Sequence, residues 1–331
     1  MKTKIPIKYE DIDNLSRLKY KDIISKLKEK FKVDDKPTKY EDIENKGRAK
    51  YNEVKMLSDK THHGQLKLFF SEMFFLTKCS QPGDTVLYVG AAEGYHTNKL
   101  VELFPELQYD LWDPRRFETL PARNVKINRR FFTDDVARKY KNGNKLLFMC
   151  DMRNLDIANF KKKEQGDIAD NIVSGDMMLQ AKWAKIMRPR HAFLKLRFPY
   201  YDYECNKAIF KYLKGDVYLQ PFSPWSTEMR LLTSDYSTYI DYDAVKIDEV
   251  LAYFNSHLRI NYRSTYWAEI MKKYKVKNIW DTIYSLAICE YYLRTKNKPS
   301  DDEDVMKLFL DIVEYHGKRY PKKTQKIIFY Q

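Results

Sequence analysis

Hydrophobic residues change their spacing along the middle of the chain. From Gln65 to Cys79 they recur every three or four positions, which predicts a helix with one buried face. Short apolar runs bounded by polar or turn residues predict strands at 85–89, 109–113, 125–128, 145–150 and 191–196. Helical patterns separate most of these runs, notably at 134–141 and 170–187. This alternation predicts an α/β fold with a mostly parallel central sheet flanked by helices.

The segments on either side of this region have different patterns. Late, partly antiparallel strands are predicted at 217–219, 229–232 and 237–240. Further helices are predicted at 244–258, 279–294 and 302–315. We therefore expect three parts: a polar N-terminal arm over 1–57, an α/β core over 58–245 and a helical extension packed on the core over 246–331.

Charge and composition narrow the class of protein. The 331 residues include 60 Lys+Arg and 46 Asp+Glu, a net charge of +14, with 26 tyrosines and 18 phenylalanines interleaved. That balance favours a polyanion such as RNA as partner, although solvated lysine-rich surfaces are common. The hydrophobic content of 44% argues against a disordered chain, and no apolar run reaches the roughly 18 residues of a membrane span.

Cellular location is indicated by the first residues and by the cysteines. The first residues lack the apolar stretch and cleavage site of a secretory signal. The cysteines at 79, 150, 205 and 289 match neither a zinc pattern nor a compact disulfide framework. We expect no metal site and a reducing, cytoplasmic location. The usage of Lys, Ile, Tyr and Asn suits an AT-rich genome such as that of a large DNA virus.

A turn containing two glycines follows the first predicted strand. Gly90 and Gly94 lie between the run 85–89 and a helix, where doubly wound folds bind ligands beyond the carboxyl end of a strand. Asp113 ends the next strand, and a carboxylate there can accept hydrogen bonds from ribose hydroxyls. The glycines are spaced Gly-x-x-x-Gly, with no obvious cradle for a pyrophosphate. The pattern therefore fits S-adenosylmethionine better than NAD.

Ionisable residues occupy the strand ends near this turn. Asp151 ends the fourth predicted strand and Lys195 lies near the end of the fifth. Lys67 lies in the helix before the first strand, and Glu228 precedes a late strand. Catalytic groups belong at such ends, but a lysine at a strand end is more often an exposed ion-pair partner, so pattern alone favours the second interpretation.

Six segments carry longer motifs: GQLKL at 64–68, YVGAAEGYH at 88–96, WDPR at 112–115, CDMR at 150–153, LKLR at 194–197 and LQPFSPWSTEMRLL at 219–232. In order and spacing, over roughly residues 38–258, the chain resembles the poxvirus cap-specific mRNA 2′-O-methyltransferases, which also serve as small subunits of viral poly(A) polymerases. The resemblance implies a Rossmann-like methyltransferase fold. It also implies a catalytic tetrad of Lys67, Asp151, Lys195 and Glu228.

The same resemblance implies two binding sites. Residues implied for S-adenosylmethionine are Gln65, Tyr88, Gly90, Gly94, Asp113, Arg115, the backbone at Phe132, and Asp151. Residues implied for the N7-methylguanosine cap are Tyr40, with Tyr51 as its rival, Arg197, Tyr200, Asp202, Ser226, Glu228 and Asp248. Glu93 replaces a proline of the family motif, and Phe132 replaces a smaller apolar residue. His96 is expected either to contact the cofactor or to pack and cap the start of a helix.

Chemistry explains why such a tetrad is needed. A ribose 2′-hydroxyl is a poor nucleophile at neutral pH, and a lysine can take its proton only if the lysine pKa is lowered. We expect Lys195 to act as base or to steer the hydroxyl, with Asp151 and Glu228 as orienting groups and Lys67 as a like-charged neighbour. The alternatives are a non-catalytic RNA-binding subunit of a poly(A) polymerase, which can coexist with catalysis, and a nicotinamide-dependent oxidoreductase, which the glycine spacing disfavours.

Overall fold

The computed structural model describes residues 38–50, 63–141, 143–153, 165–198 and 209–330, with side chains of the fourth range described from residue 172. A short 3-10 helix at Tyr40–Asp42 comes first. In chain order the other elements are α1 (Gly64–Cys79), β1 (Thr85–Val89), α2 (Tyr95–Leu103), β2 (Gln108–Trp112), β3 (Val125–Asn128), α3 (Asp134–Lys139), β4 (Leu146–Cys150), α4 (Gln165–Met187), β5 (His191–Leu196), β6 (Ile209–Leu213), β7 (Asp216–Tyr218), β8 (Met229–Thr233), β9 (Tyr239–Asp243), α5 (Ala244–Tyr253), a π-helical turn (Phe254–Leu258), α6 (Arg259–Asn261), α7 (Ala268–Lys273), α8 (Trp280–Thr295), α9 (Asp302–Arg319) and α10 (Pro321–Ile328).

Seven strands form the central sheet in the order β3-β2-β1-β4-β5-β8-β7. The first five are parallel, whereas β8 runs antiparallel to both β5 and β7. The predicted α/β class with a mostly parallel sheet is confirmed. Strand order reverses between β1 and β4, so a crevice opens there beyond the carboxyl ends of the strands.

Helix α1 is the element that links the sheet to the C-terminal helices. Its Phe75 stacks on Phe193 of β5, with ring centroids 5.0 Å apart, and its Phe70 stacks on Phe309 of α9 at 6.0 Å. Twelve of its sixteen residues are buried, far more than the one face predicted from the spacing, because α1 is covered on both sides. This packing fixes the position of Lys67 near the helix start.

The structure differs from the sequence prediction at several elements. Strand β6 pairs with β9 in a separate antiparallel ribbon and was not predicted, nor were the short helices α7 and α10. The helix predicted over 244–258 is α-helical only as far as Tyr253 and then widens into the π-helical turn. Among the described residues, no helix is both long and apolar enough to cross a membrane. The division into arm, core and extension stays a prediction.

Candidate active site

Four of the predicted residues come together because two strand ends, one strand start and one helix start meet at the same edge of the sheet. Lys67 lies in the first turn of α1, Asp151 directly follows β4, and Lys195 is the penultimate residue of β5. Glu228 directly precedes β8, whose antiparallel pairing puts its start beside the end of β5. The topology thus brings residues far apart in sequence to one point.

The four side chains form a single ion-pair cluster. Lys67 Nζ donates a short hydrogen bond to Glu228 Oε1. Lys195 Nζ lies 3.3 Å from Asp151 Oδ1 and 3.6 Å from Glu228 Oε2. None of the four side chains is more than 17% exposed. Lys195 is therefore an ion-pair partner, but unlike the lysine that the pattern alone favours it is not exposed.

Arg230 is a fifth member that the sequence interpretation missed. Its Nη2 donates to Asp151 Oδ1 at 2.6 Å and its Nη1 to the carbonyl of Cys150 at 3.1 Å. Its Nε donates to Gln220 Oε1 at 2.8 Å, and Gln220 in turn donates to Glu228 Oε1 at 3.2 Å. Side chains two apart on a strand share a face, so the spacing of Glu228 and Arg230 was a usable signal.

Burial and neighbouring charges act in opposite directions on these groups. Burial raises the pKa of Asp151, but the cations of Lys195 and Arg230 outweigh it and hold that pKa at about 2. The same balance of burial against nearby cations holds the pKa of Glu228 well below its ordinary value. Burial lowers the pKa of Lys195, yet the two carboxylates outweigh it and the pKa is raised. The predicted lowering of the lysine pKa is therefore wrong for this arrangement, because both carboxylates lie within 4 Å of the ammonium.

The glycine turn is tightly enclosed beside this cluster. Gly90 and Gly94 have φ angles of +81° and +71°, in the region that favours glycine. A Cβ at Gly90 would lie 2.5 Å from the amide nitrogen of Met152, and one at Gly94 would lie 2.4 Å from Thr119 Oγ1. A larger residue at Gly90 would force the β1–α2 turn away from the chain that follows β4, and one at Gly94 would force it away from Thr119.

Asp113 lies directly after β2 and is 4% exposed. Its Oδ1 accepts from the Arg115 amide at 2.9 Å and from Arg115 Nε at 3.0 Å. Its Oδ2 accepts from the Ala92 amide at 3.2 Å and from Arg115 Nη2 at 2.8 Å. These contacts occupy the roughly four lone-pair positions of a carboxylate. A ribose diol would therefore have to displace part of the Arg115 side chain, which is 63% exposed.

Gln65 and Tyr88 belong to a buried network with two further side chains. His96, 1% exposed, faces Gln65 Oε1 with Nδ1 at 3.0 Å and Glu72 Oε2 with Nε2 at 3.0 Å. The hydroxyl of Tyr88 donates to Glu72 Oε1 at 2.5 Å. His96 thus packs at the start of α2, the second of its two predicted roles. Glu72 was missed because it lies on a face of α1 that looked like ordinary core.

Phe132 shows how the larger residue is accommodated near the predicted adenine pocket. Its ring is buried edge-on against Trp112 at 5.4 Å and against Trp183 at 4.9 Å. The side chain of Phe132 therefore packs into the core of the domain. Only the backbone at Phe132 is assigned to the cofactor pocket by the resemblance.

The residues predicted for the cap are only partly brought together. Arg197, Ser226 and Glu228 line one cleft of about 160 Å³ together with Lys195. Tyr40 follows Lys39, which forms a β-bridge with Tyr218 of β7. The hydroxyl oxygen of Tyr40 is buried. Asp248 lies on α5 and is 9% exposed. Tyr51, Tyr200 and Asp202 lie outside the described residues. A complete cap pocket stays a prediction.

Comparison with known proteins gives a consistent result. The sequence model of the poly(A) polymerase regulatory subunit family matches residues 34–331. The cap-specific mRNA (nucleoside-2′-O-)-methyltransferase of fowlpox virus (strain NVSL) is 33% identical over 224 residues, which cover 59% of this chain and 68% of that protein. The proteins of the same name from the Lausanne and Uriarra strains of myxoma virus are each 28% identical over 218 residues, covering 60% of this chain and 62% of theirs. The chain thus matches about two thirds of the length of these relatives.

Proposed function

We propose that this chain, which belongs to the poly(A) polymerase regulatory subunit family, methylates the ribose 2′-oxygen of the first transcribed nucleotide of capped mRNA. The observation that carries the proposal is the buried cluster of Lys67, Asp151, Lys195 and Glu228 beside the glycine turn. Burying charged groups costs free energy, and a subunit that only binds RNA has no physical need for this arrangement. The names of the fowlpox and myxoma relatives support the same activity.

The proposed methyl donor is S-adenosylmethionine, which supplies an electrophilic methyl group on a positively charged sulfonium. The residues present fit such a group: Gly90 and Gly94, both at positive φ, shape the turn beyond the carboxyl end of β1, where doubly wound folds bind ligands, and the carboxylate of Asp113 after β2 suits ribose hydroxyls once part of the Arg115 side chain moves aside. Besides Asp113, the residues that we assign to S-adenosylmethionine are Gln65, Tyr88, Gly90, Gly94, Arg115, Asp151 and the backbone at Phe132.

Lys195 is the residue that would act on the 2′-hydroxyl. Its raised pKa favours a protonated side chain, so the ammonium donates a hydrogen bond to the 2′-oxygen and fixes the direction of its lone pair. Asp151 and Glu228 hold the ammonium from two sides, and Lys67 and Arg230 hold Glu228 and Asp151 in turn. As the 2′-oxygen gains the methyl group and S-adenosylhomocysteine leaves, the hydroxyl proton would become strongly acidic and pass to solvent water.

The proposed substrate is mRNA carrying an N7-methylguanosine cap. Arg197, Ser226 and Glu228 line the cleft beside Lys195, and we assign Tyr40, Tyr200, Asp202 and Asp248 to the cap itself. A cationic methylated base favours aromatic stacking with nearby carboxylates. The net charge of +14 supports binding of the RNA that follows the cap. We propose a cytoplasmic site of action.

Transfer of a labelled methyl group tests the activity. Capped RNA with a 2′-hydroxyl on its first transcribed nucleotide should accept label from S-adenosylmethionine, and N7-methylated caps should be preferred. The matched control RNA carries 2′-deoxyribose at that nucleotide alone and should accept none. Equal labelling of the two RNAs would contradict the proposed target atom.

The family description favours a second, compatible function. A poly(A) polymerase regulatory subunit implies a catalytic polymerase chain as partner, and we propose that this chain binds one. The two functions separate in a Lys195→Met variant, which should lose methyl transfer and keep any stimulation of the polymerase. Loss of both together would contradict separate sites.

A further inference from the structure

A buried polar network lies next to the proposed methyl-donor pocket, and two of its members have no role in the account above. It consists of Gln65 and Glu72 on α1, Tyr88 on β1 and His96 on α2, and we refer to it as the Glu72–His96 network. Glu72, Tyr88 and His96 are 4%, 1% and 1% exposed. Polar groups this deeply buried stabilise a fold only when their hydrogen bonds are all made.

The contacts determine which groups donate. The backbone N–H of His96 is a fixed donor, and it lies 3.2 Å from Gln65 Oε1, so that atom is an acceptor. The ring Nδ1 lies 3.0 Å from the same oxygen and must therefore carry a hydrogen. This argument also fixes which end of the Gln65 amide is oxygen and which is nitrogen.

The other ring nitrogen requires one further proton. His96 Nε2 faces Glu72 Oε2 at 3.0 Å, while the Tyr88 hydroxyl donates to Glu72 Oε1 at 2.5 Å. Two acceptors cannot form a hydrogen bond without a hydrogen between them. The Glu72–His96 pair therefore holds one shared proton, whichever of its two atoms carries it.

We propose that Glu72 and His96 are positioning residues for methyl-donor binding, an inference that rests on the proposed function. The backbone N–H and the ring Nδ1–H of His96 both donate to Gln65 Oε1. The amide nitrogen of Gln65, with its two N–H groups, is thereby turned away from the network. Glu72 holds the Tyr88 hydroxyl in the same way. Both oriented side chains belong to the set assigned to S-adenosylmethionine, where the amide N–H groups of Gln65 would meet an acceptor on the ligand.

A double-mutant cycle on binding of S-adenosylhomocysteine tests this, with calorimetry as the readout. His96→Leu should raise the dissociation constant about two- to tenfold, the range of a lost net hydrogen bond. In a Gln65→Ala background the same substitution should have no further effect, because His96 acts through Gln65. If the two effects simply add, or if His96→Leu leaves affinity unchanged, the proposal is wrong.

Two further variants separate positioning from folding. Glu72→Gln keeps every contact, since its amide can donate to a neutral His96 and still accept from Tyr88, so affinity should stay near wild type. If His96→Leu alone fails to fold, the double variant Glu72→Gln/His96→Leu repeats the cycle, because it removes the Glu72 carboxylate that His96→Leu would leave unpaired.

His316→Leu is the matched control. His316 is fully buried and its Nδ1 contacts the carbonyl of Ile312 in its own helix, so affinity should not change. A loss of affinity in Glu72→Gln equal to that in His96→Leu would overturn the proposal. If the wild-type protein does not bind S-adenosylhomocysteine, the proposed function fails instead.

Discussion

Replacing Asp151 with asparagine removes the carboxylate that Lys195 and Arg230 share. The structure holds the pKa of this group at about 2, against an ordinary value of 3.8. At about 1.4 kcal/mol per pH unit, that difference corresponds to about 2 kcal/mol of stability when the carboxylate is ionised. Asp151→Asn should therefore lower the free energy of unfolding by about 2 kcal/mol at pH 7.

The pH dependence follows from the sign of the shift. A carboxyl group whose pKa is lowered by folding stabilises the protein above its unfolded pKa, and this stability is lost as the pH falls through the folded pKa. The difference between wild type and Asp151→Asn should stay near its full value at pH 5 and fall to about half by pH 3. Urea unfolding followed by tryptophan fluorescence at pH 7, 5 and 3 measures it.

Asp135 provides the matched control because its side chain is 87% exposed and pairs with Arg138 on the surface of α3. Asp135→Asn should change the free energy of unfolding by less than about 0.5 kcal/mol. A difference between wild type and Asp151→Asn that is the same at pH 7 and pH 3 would refute the reasoning. The loss would then come from packing, not from the charge of the carboxylate.

Three further predictions concern binding. Asp113→Ala should weaken binding of S-adenosylhomocysteine by about tenfold or more in calorimetric titration, because it removes a charged acceptor of ribose hydrogen bonds; unchanged affinity would remove Asp113 from the pocket. The affinity for capped RNA should fall with salt, with a slope of log K on log salt of about −0.7 per phosphate contact, and a flat line would contradict a role for the basic surface. Tyr200→Ala should weaken binding of N7-methylated caps more than that of unmethylated caps, by about 1–3 kcal/mol for one lost stack, and equal losses would show that Tyr200 does not stack on the cap.

Much of the fold could be predicted because its signals are local. The buried runs around β1, β4 and β5 are nearly continuous apolar segments, as expected for strands covered on both faces. The ribbon of β6 and β9 was harder, because Ile209–Leu213 forms a strand only through pairing with a segment some thirty residues later. The local pattern of hydrophobic and polar residues gives no information about pairing between such distant segments.

The candidate site divides in the same way. Asp151 and Lys195 could be singled out because strand ends of a parallel sheet meet beside the ligand crevice. The spacing of Glu228 and Arg230 indicates a shared face, but only the register of β8 against β5 shows that Arg230 lies directly opposite Lys195. The direction of the Lys195 pKa needed distances to Asp151 and Glu228, since burial and carboxylates act in opposite directions on it. Sequence supplies the residue types at a site, whereas the balance of charges depends on geometry.

The rate of methyl transfer by a Lys195→Met variant tests the central claim most directly. Methionine keeps much of the volume of the lysine stem and removes the amine that would contact the 2′-oxygen. The rate on capped RNA should fall by about 10²-fold or more, because the 2′-oxygen loses the donor that orients it, with cofactor and cap affinities near wild type. Lys195→Arg should not restore it, since a planar guanidinium differs in shape from an ammonium and cannot place a single N–H donor at the same point beside Asp151 and Glu228. A Lys195→Met protein that methylates capped RNA at close to the wild-type rate would contradict the account.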